Sequence, residues 1–106
     1  NISWGYTQSF KKKLNVSSSP RFCTTLRVTG ANKSSVQIKL RFFSGKQYFE
    51  CTQNVPASRI VHLSTSLAKW KYRKKITKIQ ILAQPVNGAS WKSGARFELT
   101  APVLSR

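Results

Sequence analysis

Apolar and polar residues alternate with a period of two along most of this chain. The clearest stretch runs from Ser35 to Phe43, where Val36, Ile38, Leu40 and Phe42 interleave with Gln37, Lys39 and Arg41. That pattern predicts a half-buried β-strand, its apolar set facing a core and its polar set facing water. From Phe10 to Val16 the parity recurs, with Lys12 interrupting the apolar side as at an edge or a strand end. Arg21 to Val28 sets Phe22, Leu26 and Val28 against Cys23, Thr25 and Arg27. Gln47 to Val55 carries Phe49, Cys51 and Val55 on one parity, and Arg59 to Leu63 reads as a short strand. Ile76 to Ala83 alternates through Ile79, Ile81 and Ala83, and Ala95 to Leu104 ends the series with Phe97 and Leu99 inward.

The segments between these runs carry turn chemistry. Ser17 to Pro20 reads as a turn, Thr29 to Ser34 as a loop, and Ser44-Gly45-Lys46 as a hairpin turn. Gln84 to Gly94 reads as a long loop with Pro85, Gly88 and Trp91. Ser64 to Lys75 is ambiguous, because Leu63, Leu67 and Trp70 fit helical spacing and Ser64 or Ser66 could cap a short helical turn. Seven or eight short strands with no repeat and no linker predict one all-β domain over residues 1–106. The expected architecture is an antiparallel β-sandwich of jelly-roll type.

Composition supports an ordered chain. Hydrophobic residues make up 40% of the 106, with six Phe, three Trp and three Tyr, far more than a disordered basic arm carries. No apolar run is long enough for a membrane-spanning helix. The chain starts with Asn and shows no signal peptide, which reads as a processed mature protein or a domain cut from a larger one. Three N-x-S triplets, at Asn1, Asn15 and Asn32, would matter only in a eukaryotic secretory pathway.

The two cysteines, Cys23 and Cys51, leave two readings open. One is a disulfide of a secreted protein, contributing roughly 3–4 kcal/mol. The other is a pair of free thiols acting as small hydrophobes. Two cysteines and one histidine are a poor set for structural zinc, and no cofactor motif is present.

Charge changes the picture most. Nineteen Lys and Arg stand against two acidic residues, a formal net charge of +17. Such an excess speaks about the partner, which should be polyanionic. Arg27, Lys39, Arg41 and Lys78 fall at the solvent parity of their strands. On neighbouring strands of one sheet they would form a positive platform, where an arginine fork suits carboxylate and sulfate. A second group is Lys69-Trp70-Lys71-Tyr72-Arg73-Lys74-Lys75, with basic residues around two aromatics. Aromatic faces stack on sugar rings or bases while the cations hold charged substituents. The plainer alternative places Trp70 in the core with Tyr72 covering its edge. Trp91 and Lys92 are further candidates, in a loop of small residues.

Catalytic chemistry has little material. Glu50 and Glu98 are the only carboxylates for a glycosidase pair, and a ribonuclease-type acid–base pair would need one of them with His62. The chain has no Asp for a Ser-His-Asp triad.

The stretches Phe22-Cys23-Thr24-Thr25-Leu26-Arg27-Val28, Ser35 to Phe43, Arg59-Ile60-Val61-His62-Leu63, Ile76 to Ile81 and Arg96-Phe97-Glu98-Leu99 resemble, in layout, the galactose-binding-like β-jelly-roll carbohydrate-binding modules. The resemblance implies a non-catalytic module that binds a glycan on a concave sheet face or in loops at one end. It would place Arg27, Lys39, Arg41 and Lys78 on the sheet face and Trp70, Tyr72 and Trp91 near a loop rim. The chain departs from that pattern in its cationic excess and in having only Glu98 near an end for a structural calcium.

The leading expectation is therefore a secreted module, not an enzyme, that binds a uronate-rich or sulfated polysaccharide with no metal, cofactor or stable protein partner. Its candidate binding residues are Arg27, Lys39, Arg41, Trp70, Lys71, Tyr72, Arg73, Lys78, Trp91 and Lys92. One alternative is a secreted cationic toxin or antimicrobial protein acting on anionic membranes or cell walls. Another is a nucleic-acid binder or small ribonuclease.

Overall fold

The computed structural model describes residues 4–31, 35–85, 91–100 and 102–106. Eight strands follow in order: β1 (Trp4–Leu14), β2 (Arg21–Ala31), β3 (Ser35–Ser44), β4 (Gln47–Pro56), β5 (Val61–Ser66), β6 (Ile76–Pro85), β7 (Trp91–Leu99) and β8 (Val103–Ser105). One sheet has the order β1-β6-β3-β4. The other has the order β5-β2-β7, with β8 also on β2. Every pairing is antiparallel. The all-β sandwich expected from the alternation is what forms.

The alternating side chains explain why the two sheets close on each other. Val36, Ile38, Leu40 and Phe42 of β3 are buried, as are Ile79, Ile81 and Ala83 beside them on β6. Phe22, Leu26 and Val28 of β2 face them from the second sheet. Phe22 meets Phe42 edge-on, with ring centroids 5.0 Å apart, and so joins the two layers. An edge-to-face pair adds about 0.5–1.5 kcal/mol beyond its buried area.

β7 and β8 form one interrupted edge on β2. Leu26 pairs with Leu99, whereas Cys23 pairs with Val103, a slip of one residue. The Thr100 N–H donates to the Thr25 carbonyl at 2.8 Å, and the buried Thr24 hydroxyl donates to the Thr100 carbonyl at 3.2 Å. These bonds satisfy the backbone where the ladder breaks. Gly30, at φ +95°, lies against β7, and a Cβ there would come within 2.4 Å of Ala95 Cα. Only glycine fits both that conformation and that contact.

The ambiguous segment is not a helix. β5 ends at Ser66, and residues 67–75 form successive turns. The Trp70 N–H donates to the Leu67 carbonyl at 3.0 Å, Arg73 to Trp70 at 3.3 Å, and Lys75 to Tyr72 at 3.1 Å. The apparent helical spacing reflects three-residue turns that drop Leu67 fully into the core.

The disulfide reading is corrected. Cys23 and Cys51 are both free. Cys51 lies at the inward parity of β4 and packs on the core, its Sγ 3.1 Å from Thr65 Oγ1. Cys23 lies at the outward parity of β2, opposite Ser64 and Val103. Thiols that point to different sides of different sheets cannot meet without backbone movement.

Candidate functional site

Antiparallel order decides where the charge collects. Successive strands reverse direction, so the connections after β1, β3 and β5 come out at one end of the sandwich. Leu14, at the end of β1, pairs with Ile76 at the start of β6. The β3–β4 turn reaches the same place: the Gly45 N–H donates to Thr77 Oγ1 at 3.1 Å, and that hydroxyl donates to the Phe43 carbonyl at 3.2 Å. The Val16 N–H donates to the Arg73 carbonyl at 3.0 Å, and the Leu67 N–H to the Pro20 carbonyl at 2.8 Å. Arg21 pairs with both Ser66 and Ser105, which brings Arg106 alongside.

The exposed basic residues at that end are Lys11, Lys12, Lys13, Arg21, Lys46, Lys69, Lys71, Lys74, Lys75 and Arg106. The two carboxylates lie elsewhere. Glu98 accepts a bidentate pair of bonds from Arg27, Nε to Oε1 at 3.1 Å and Nη2 to Oε2 at 3.0 Å, on the outer face of the second sheet. Glu50 pairs with Arg41 on the outer face of the first. Glu50 is four residues up the strand from Lys46, about 13 Å of extended chain, beyond a Debye length of about 8 Å at physiological salt. Glu98 is farther still, since Arg27 lies six residues into β2 from Arg21. Among the described residues neither carboxylate forms an ion pair with the cations at this end.

The sequence-derived candidates are not brought together on one face. Lys39, Arg41 and Lys78 project from the outer face of the first sheet, where Arg41 lies opposite both Glu50 and Gln80. Lys78 sits over the Phe43 ring, 4.4 Å from its centroid, near the cationic end. Arg27 stands on the other sheet, on the far side of the core. A single platform of these four residues does not form, because β2 belongs to one layer and β3 and β6 to the other. Ion pairs with the only two carboxylates further dilute both faces.

The second group stays together. Trp70 is half-buried and packs on Phe49 and Tyr72, with ring centroids 6.1 and 6.0 Å away. It packs against the core's margin, closer to the core reading than to a free platform, and its remaining surface lines a groove with Phe49 and Lys69. Arg73 donates from Nη1 to the Trp70 carbonyl at 3.0 Å and so braces the loop. Lys71 rests over the Tyr72 ring at 5.6 Å, and its charge remains outward. The side chains of Trp91 and Lys92 lie outside the described residues.

The two glutamates do not face each other, while His62 and Glu98 lie on the same outer face, on the two strands that flank β2. Glu50 and Glu98 project from opposite outer faces of two layers that pack about 10 Å apart. That exceeds the carboxyl separations of about 5–9.5 Å used in glycoside hydrolysis. His62 Nδ1 lies 2.9 Å from Thr25 Oγ1, while Glu98 is held by Arg27. Among the described residues no three His, Cys, Asp or Glu side chains converge on a metal position.

Lys11–Lys13, Arg21, Lys46 and Arg106 share this end without having been singled out in the sequence, whereas Lys69, Lys74 and Lys75 belong to the basic–aromatic group named there. Their common signal is position: each basic run borders an odd-numbered connection or the chain end. No protein-family model matches the chain, and no curated protein matches it.

Proposed function

We propose that the cationic end of this sandwich binds an anionic polysaccharide, uronate-rich or sulfated, without catalysis. The observation that carries the reading is the separation of charge: basic side chains ring one end, while both carboxylates are paired with arginine on the sheet faces. A flexible chain of carboxylates or sulfates can follow such a ring, with lysines acting as point charges around it. Polymers of this kind are extracellular, so the reading carries secretion with it.

Two observations favour the polysaccharide over the other polyanions. Single-stranded nucleic acid is usually gripped by free aromatic faces, whereas Trp70 packs on Phe49 and Tyr72, Lys71 covers the Tyr72 ring, and the Trp70 surface left open lies in a groove beside Phe49. A membrane-active protein needs an apolar surface to insert. Among the described residues the exposed large hydrophobics are Tyr48, Ile60 and Val103, on β4, the β4–β5 connection and β8.

Titration with sulfated, uronate and neutral polysaccharides, each with RNA as competitor, tests the proposal. Binding to both acidic polymers, none to the neutral one, and weak competition by RNA is expected. Equal binding to the neutral polymer, or displacement by RNA at lower concentration than by the sulfated glycan, would overturn it. So would leakage of anionic vesicles at the protein concentrations that saturate the glycan.

A further inference from the structure

The two outer strands of the first sheet are built in opposite ways. β1 loses register with β6 between Ser9 and Leu14, and Lys11–Lys13 fill that irregular stretch. Irregularity and lysine are standard means of keeping another strand off a sheet edge. β4 has neither. Its ten residues pair with β3 in unbroken register from Gln47 to Pro56, and it contains no Lys or Arg. Nothing among the described residues pairs with its other side.

The hairpin shows which groups that free edge presents. Gly45, at φ +60°, takes the first position of a two-residue type II′ turn closed by Ser44 and Gln47. Counting from that closing hydrogen-bonded pair, Phe49, Cys51, Gln53 and Val55 point their N–H and C=O groups at β3. Tyr48, Glu50, Thr52 and Asn54 point theirs outward. Beside the edge, Phe49, Trp70, Ser66, Ala68 and Lys69 line a mostly apolar groove of about 410 Å³.

We propose that β4 docks an extended acidic polypeptide segment as an added strand. Its backbone would pair with the outward groups of β4, and an apolar side chain at one parity would enter the Phe49–Trp70 groove. Lys69 at the groove and Lys46 in the turn select acidic residues in the guest. The field of a chain at +17 repels a second copy and draws in an acidic strand. This site borders the polysaccharide-binding end and shares Lys46 and Lys69 with it, but it rests on the free β4 edge and the Phe49–Trp70 groove.

The test uses a capped eight-residue peptide alternating Glu and Val, with amide hydrogen exchange and affinity measured on the same samples. The expected result is slowed exchange at Tyr48, Glu50, Thr52 and Asn54, and at least tenfold weaker binding by Thr52→Pro. That substitution removes an outward N–H and leaves the β3 ladder intact, as proline permits on an edge strand. Asn54→Pro repeats the test one pair along, and Thr52→Ala, which keeps the N–H, should bind like the parent. An unchanged far-UV spectrum and a cooperative urea transition show that each variant is folded. Equal binding by Thr52→Pro, equal binding of a hexaglutamate control, or the same protection arising from protein concentration alone would overturn the proposal.

Discussion

Leu67 is fully buried although it lies in a connection, and its N–H bonds to Pro20. It pins the loop that carries Lys69 to Lys75 against the core. Leu67→Ala should therefore cost about 2–5 kcal/mol, read as a shift in the urea midpoint. A loss below about 1 kcal/mol would show that the loop is held some other way. Arg73 separates structure from charge at the same place. Its bond to the Trp70 carbonyl uses guanidinium geometry, which lysine does not reproduce. Arg73→Lys should lower stability by about 1 kcal/mol while leaving sulfated-polysaccharide affinity within about twofold, since the charge is kept. A large affinity loss with normal stability would instead make Arg73 a direct ligand. The sequence offered Arg73 as one more cation in a basic run, because the identity of its acceptor depends on the turns of residues 67–75.

The strands themselves were largely legible, because two wet-faced sheets impose strict alternation. β3 runs from Ser35 to Ser44 with its apolar residues buried as the parity required. The register of Phe49, Cys51 and Val55 on β4 holds in the same way. What alternation does not encode is which strands share a layer. Arg27 looked equivalent to Lys39 and Arg41 on parity alone, yet β2 lies in the opposite sheet. The cysteine question turned on the same missing information, since Cys23 faces out and Cys51 faces in. Reductant should accordingly leave the melting temperature unchanged, and both thiols should react with a thiol reagent once the protein is unfolded. A drop in melting temperature on reduction would contradict the free-thiol arrangement. At β2, Gly30→Ala should lower stability by more than about 1 kcal/mol, because it places a side chain at positive φ against Ala95. A melting temperature equal to the parent's would show that the β2–β7 approach relaxes at little cost.

At the scale of the molecule, the net charge of +17 matters less than its distribution. The chain alternates direction, so basic runs bordering its first, third and fifth connections are carried to one end. That much was written in the sequence, in the parity of the connections. Side-chain parity within strands carries different information and predicted a sheet face instead. The sequence could not show that each carboxylate would be matched to an arginine across a strand pair, and that pairing is what leaves the end uncompensated. The most direct measurement compares two triple charge reversals of equal net charge for binding a sulfated polysaccharide at about 0.15 M salt. One is Lys71→Glu, Lys74→Glu and Lys75→Glu, at the cationic end. The other is Lys39→Glu, Arg59→Glu and Arg96→Glu, away from it. The account predicts at least a tenfold loss and a shallower salt dependence for the first variant, with less than about a threefold loss for the second. Equal losses in the two would show that total charge alone governs binding, and would contradict a site at one end of the sandwich.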